Sequence, residues 1–217
     1  MSGLSSLLTI FISSFVIALS GAMMPGPLLT ATISESTRRG FTAGPLMIAG
    51  HAILELVLVA LLLMGLASFL QLPEVFAVTA LAGSVILAWM AYMMVSSLSA
   101  LTLFQQGDSL HRNHLVLTGI FMSLANPYWI IWWATIGLGY IMYSWKFGIP
   151  GVAFFFTGHI LADLAWYSFI SAAVAGGRNF ITDRVYRGLI ALLSLFLVLF
   201  AAYFAYEGFM KLKEIIV

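Results

Sequence analysis

In a chain of 217 residues, a hydrophobic fraction of 62% against 8% charged residues leaves too few polar groups to cover a water-facing surface, which excludes an ordinary soluble domain. The formal net charge of +1 comes with nine scattered Lys and Arg, so there is no basic footprint for nucleic acid and none is expected as a partner. The absence of cysteine excludes a thiol redox relay and thiolate metal sites, and no Gly-rich stretch ends in Lys-Ser or Lys-Thr to cradle a nucleotide. Neither an enzyme nor a cofactor is expected.

A membrane-crossing helix needs about 20 mainly apolar residues, and six segments meet that length. The first runs from Leu4 to Ser34. It has no positively charged segment ahead of it and no small-residue cleavage site, so a retained helix is expected rather than a signal peptide. Pro25-Gly26-Pro27 interrupts it; an interior proline deletes a backbone hydrogen bond and clashes with the preceding turn, which predicts a kink or a break. After a loop with Arg38 and Arg39, the second span runs from Phe41 to Leu70 and contains Gly50-His51 and Glu55-Leu56. Gly40 and Gly44 at its start predict a close helix-packing face, compatible with a homodimer but not specific for one. The third span covers Val75 to Leu98, after Glu74. A cytoplasmic linker over about 99–114 follows, in which His111 and His114 are expected to be simply solvated.

The fourth span, Leu115 to Tyr143, is interrupted by Asn126-Pro127 and carries Trp129, Trp132 and Trp133. Tryptophan faces can hold an ammonium group. Aromatic runs on membrane helices usually meet lipid or neighbouring helices, however, so the three are not all expected in a site. The fifth span, Ile149 to Ala175, contains Gly158-His159 and Asp163-Leu164, and the sixth runs from Gly188 to Phe209. No segment shows the period-2 alternation of a barrel strand, so the class is all-α integral membrane.

Three spans per half force a duplicated half to insert upside down relative to the other. The expected fold is therefore a single transmembrane domain, 1–217, of two inverted three-helix repeats, about 1–98 and 115–210, with helices 1 and 4 kinked or broken at proline. Arg38, Arg39, Arg112, Arg178, Arg184 and Arg187 fall in odd-numbered loops, against Lys146, Lys211 and Lys213 on the other side. That asymmetry predicts odd loops in the cytoplasm and both termini outside, with Tyr143 and Trp145 in an outer aromatic belt.

The two Gly-His-x-x-x-acid clusters carry the chemistry. His and the acid stand four apart, on one helix face, at matching places in the two halves. An ionisable residue inside a membrane span is expensive and marks a functional site by default. Glu55 and Asp163 can bind a substrate ammonium or exchange protons, with His51 and His159 sharing those protons. Carbonyls freed at Pro27 and Pro127, and the helix ends beside them, can hold other charged groups of a substrate. The alternative is interhelical hydrogen bonding, worth roughly 1 kcal/mol per pair.

The ordered set Pro25-Gly26-Pro27, Arg39-Gly40-Phe41-Thr42-Ala43-Gly44, Gly50, Glu55 and Gly65-Leu66 resembles the first half of the lysine exporter (LysE/RhtB) family. Leu124-Ala125-Asn126-Pro127, Asp163-Leu164-Ala165-Trp166-Tyr167 and Arg187-Gly188-Leu189 resemble its second half. Tyr128 stands where many members carry lysine, and His51 and His159 are outside the family pattern. The resemblance implies a cytoplasmic-membrane (inner-membrane) exporter of amino acids or related small metabolites, exchanging its small-molecule substrate for H+ across the lipid bilayer. Its candidate substrate or coupling residues are Glu55, Asp163, His51, His159, Asn126, Pro127, Pro25, Gly26, Pro27 and Tyr128. A second class is divalent transition-metal export, with His51, Glu55, His159 and Asp163 as ligands, because imidazole and carboxylate together suit a borderline ion.

Overall fold

The computed structural model describes residues 3–66, 69, 72–98, 115–177 and 182–216. The linker expected over 99–114, with His111, Arg112 and His114, lies outside the described residues, as does Arg178. All regular structure among the described residues is helical. Five helices are long and apolar enough to cross a membrane, or six if one bent pair counts as a span. Large apolar side chains such as Val78, Val85, Phe121 and Phe209 face outward, the pattern of a multi-pass protein whose solvent is lipid.

The first helix, α1 (Gly3–Ala22), stops ahead of Pro25. The next helix, α2 (Pro27–Arg39), begins with Pro27 at its first position, where a missing N–H costs nothing, and with Gly26 as an extended N-cap. Gly40 ends α2 at φ 73°, a left-handed conformation that glycine adopts without strain, and donates its N–H to the Ser36 carbonyl. A 3-10 turn (Gly40–Thr42) then leads straight into α3 (Ala43–Leu61), prolonged by a π-helical segment (Leu62–Leu66).

The chain reverses at this turn: Thr32 Oγ1 of α2 donates to Met47 Sδ of α3 at 3.4 Å, and Ser36 Oγ and the Gly44 N–H both donate to Ser171 Oγ. The turn expected at Arg38 and Arg39 thus lies at the end of α2 and in Gly40–Thr42, and the span expected over Leu4–Ser34 is divided into α1 and α2. Arg39 Nε sits 2.7 Å from Glu35 Oε2, an i,i+4 pair within α2.

Helix α4 (Pro73–Ser97) corresponds to the third expected span. Helix α5 (Leu115–Leu124) and the short α6 (Pro127–Trp132) meet at a break bent by 68° between the two helical runs. Asn126 caps α6 by accepting the Tyr128 N–H at 3.1 Å. A π-helical segment (Trp133–Gly137) joins α6 to α7 (Leu138–Trp145). Helices α8 (Gly148–Gly177) and α9 (Asp183–Ile216) complete the described chain. At the end of α7, Lys146 Nζ lies 5.6 Å from the Tyr143 ring centroid, and Tyr143 and Trp145 are both exposed, as in an interfacial belt.

Two helix groups result. Helices α4 and α9 pack extensively on each other; α1 packs on α8, and α3 packs on both α5 and α8. Between α3 and α5 the backbones nearly touch. A Cβ on Gly50 would lie 2.7 Å from the Val116 carbonyl carbon and nearer still to its oxygen, and one on Gly119 would lie 2.8 Å from that of Met47. Gly44 is a packing glycine as expected: its N–H donates to Ser171 Oγ at 2.8 Å, and a Cβ would clash with the Tyr167 carbonyl. Gly40 is not, since its nearest neighbour would be Ala175 Cβ at 4.0 Å; its role is the turn.

Candidate functional site

Helices α3 and α8 pack face to face and carry the two Gly-His-x-x-x-acid clusters to one place. One ligand-type atom from each of His51, Glu55, His159 and Asp163 lies within 4.8 Å of the other three, and all four residues are buried. Glu55 is central, 1% exposed, with Oε1 3.0 Å from His51 Nε2 and Oε2 2.9 Å from His159 Nε2. Asp163 Oδ2 is 3.6 Å from His51 Nε2 and 3.4 Å from His159 Nε2. The convergence of α3 and α8 rests on Gly44, which lies against Tyr167 and Ser171 of α8, and two further glycine seams fix each helix on its other neighbour. Gly50 draws α3 onto α5; Gly158 draws α8 onto α1, where Ser14 Oγ donates to the Phe155 carbonyl at 3.0 Å.

The surrounding partners are unequal. Ser123 Oγ donates to the Gly119 carbonyl at 2.7 Å and lies 2.7 Å from His51 Nδ1, so Nδ1–H donates to Ser123 and Nε2 is left facing the carboxylates. His159 Nδ1 has no hydrogen-bond partner among the described residues, and the ring is enclosed by Trp132, Trp133 and Phe155, with centroids 4.8, 5.4 and 6.0 Å away. Glu55 Oε1 accepts two indole N–H bonds, from Trp129 at 2.9 Å and Trp133 at 2.7 Å. Such bonds to an ionised acceptor are roughly twice as strong as neutral ones.

Trp129, Trp132 and Trp133 all reach the cluster, but of the three only Trp129 and Trp132 line the cavity beside it. Trp129 and Trp133 stand four apart on the helix entered through Asn126-Pro127. That spacing puts both indoles on one helix face. Ser123 and Tyr167 were missed. Ser123 has no motif of its own, and Tyr167, although it ends the Asp163–Tyr167 run, was given no role; the packing of α5 and α8 brings both to the cavity.

A cavity of about 50 Å³, enough for about three to five waters, opens beside the four ionisable side chains. Gly26 and Asn126 line it from the two breaks, together with Ser123, Tyr128, Trp129 and Tyr167. The breaks touch each other: a Cβ on Gly26 would meet Asn126 Nδ2 at 3.3 Å. Pro25, Pro27 and Tyr128 line a narrower cleft that reaches from the breaks to α4 and α9. Pro127 itself is fully buried and lies against Gly83 of α4. The candidate residues are thus gathered around two adjoining cavities, with the acids at one end and the proline breaks at the other.

No solved structure matches the chain. It is 23% identical over 208 residues, 94% of this chain and 99% of the relative, to the "Putative amino acid efflux protein YcgF" of Bacillus subtilis (strain 168). Neither that name nor the family's mentions a metal as cargo, so metal export gains no support from them. The family described as LysE type translocator matches residues 19–208, most of the chain and both histidine-acid clusters: the chain belongs to the LysE type translocator family.

Proposed function

We propose that the protein is a secondary exporter that moves amino acids or related small metabolites out across the cytoplasmic membrane by alternating access, in exchange for protons. The observation that carries this reading is the cavity itself, which joins two buried carboxylates to two interrupted helices. An α-amino acid has an ammonium that matches Glu55 and Asp163. Its carboxylate matches the donors at the other end, where Asn126 and the start of α2 at Leu28 line the cavity. A pair of carboxylates is too costly to carry empty through the membrane interior, so a cation must replace the ammonium on the return step, and protons serve that role.

An inverted duplication is supported by matching contacts. Gly50-His51 of α3 packs on α5 as Gly158-His159 of α8 packs on α1, and the approach of Gly119 to Met47 answers the bond from Ser14 to Phe155. The bases favour odd loops in the cytoplasm and both termini outside.

Counterflow in proteoliposomes against a panel of amino acids tests the reading. Glu55→Gln and Asp163→Asn are each expected to abolish export while the purified variant stays monodisperse. Collapse of the proton gradient at constant ATP is expected to stop export by the unsubstituted protein. Full export by both variants would refute the role given to the acids.

A further inference from the structure

We propose that His51, Glu55, His159 and Asp163 form a tetrahedral binding site for one divalent transition-metal ion of the zinc type, and that the bound ion pins α3 to α8 and excludes the substrate. The exclusion rests on the exporter reading; the metal site does not. Ligands about 2.0–2.1 Å from a tetrahedral zinc lie about 3.3 Å apart. With Glu55 Oε2 as its ligand atom, the contacts of His51 Nε2 with Asp163 Oδ2 and of His159 Nε2 with Glu55 Oε2 and Asp163 Oδ2, at 3.6, 2.9 and 3.4 Å, bracket that spacing, and one ligand atom from each of the four residues lies within 4.8 Å of the others. Three of the converging atoms, His159 Nε2, Glu55 Oε2 and Asp163 Oδ2, are buried and have no hydrogen-bond partner among the described residues. Lone pairs that converge without sharing a proton repel one another, and a cation at their centre removes the repulsion.

The surrounding bonds suit the same reading. The Nδ1–H of His51 is committed to Ser123, which frees Nε2 as the ligating atom. Trp129 and Trp133 hold Glu55 through Oε1 and leave Oε2 turned to His159. Two imidazoles and two carboxylates favour a borderline ion over Mg2+ or Ca2+, which require six or more oxygen ligands. With both imidazoles neutral, the carboxylates carry two negative charges, which one divalent ion balances.

The purified full-length protein, treated with a chelator, is titrated with Zn2+ by calorimetry, with Mg2+ as the control, and counterflow is measured with and without Zn2+. The expected result is one Zn2+ per chain, no Mg2+ signal and arrested counterflow. His159→Asn is expected to weaken Zn2+ binding by about 100-fold or more, and Ser123→Ala, which keeps all four ligands, by about 10- to 100-fold. If His159→Asn does not fold, Ser123→Ala decides. No Zn2+ binding, or unchanged affinity in a folded variant, overturns the site; bound Zn2+ with undiminished counterflow overturns the exclusion. If no amino acid is carried at all, the exporter reading fails while the calorimetry still decides the metal site.

Discussion

Gly50→Ala tests whether backbone contact between α3 and α5 sets the geometry of the histidine-acid cluster. The added Cβ would stand 2.7 Å from the Val116 carbonyl carbon, where ordinary contact begins at 3.4 Å, so the helices must separate by at least about 0.7 Å. The obstacle is backbone on α5 and cannot rotate away. Overpacking of this kind costs about 1–3 kcal/mol. The shift also falls on the residue beside His51, whose 2.7 Å contact with Ser123 has little room to lengthen before it ceases to be a hydrogen bond. Reversible unfolding in mixed detergent micelles measures the first effect, and counterflow the second. Gly139→Ala is the control, because its Cβ meets nothing within 4 Å, and it is expected to change stability by less than about 0.5 kcal/mol. A Gly50→Ala protein as stable and as active as the Gly139→Ala protein would refute the idea that this seam positions the cluster.

Two further outcomes follow from the same geometry. Trp133→Phe keeps a ring but removes the 2.7 Å donor to Glu55, a charge-assisted bond worth about 1.5–3 kcal/mol, and is expected to slow counterflow by about 10- to 100-fold. Trp132→Phe removes an Nε1–H that has no protein acceptor, and its counterflow is expected to stay within about threefold of the parent; equal losses in the two variants would contradict the assignment. Since the chain has no cysteine, orientation can be read by single-cysteine labelling. Lys146→Cys should react with a membrane-impermeant maleimide in intact cells and Arg184→Cys only after permeabilisation, and the reverse pattern would invert the proposed topology.

The parts of this fold legible in the sequence are those written in local chemistry. The duplicated His-x-x-x-acid spacing identified the buried cluster because uncompensated charge is conspicuous in an apolar span. Asn126-Pro127 likewise predicted a stop, and the helical runs on either side of it diverge by 68°. The turn after Arg38 and Arg39 was legible too, because a glycine after a helix supplies its left-handed end. Gly40 ends α2 there, and the chain folds back so that Thr32 of α2 meets Met47 of α3. The tryptophans were ambiguous in sequence: indole chemistry suits lipid, neighbours and buried carboxylates alike, and only the approach of α3 selects among them. Ser123 was invisible because a serine in a membrane helix commonly bonds its own preceding turn, as this one does, and its second contact with His51 belongs to another helix.

The two indole bonds on Glu55 have a consequence for movement. Withdrawal of α6 and the segment after it from α3 strips both indole donors from a carboxylate that is 1% exposed, and leaves only His51 and His159 beside it. An arriving ammonium brings three N–H donors of its own. It can therefore take over the solvation of Glu55 as the indoles leave, so that the count of bonds on the carboxylate is kept through the motion. Under the proposed amino-acid transport, that exchange would let the occupied protein open more easily than the empty one.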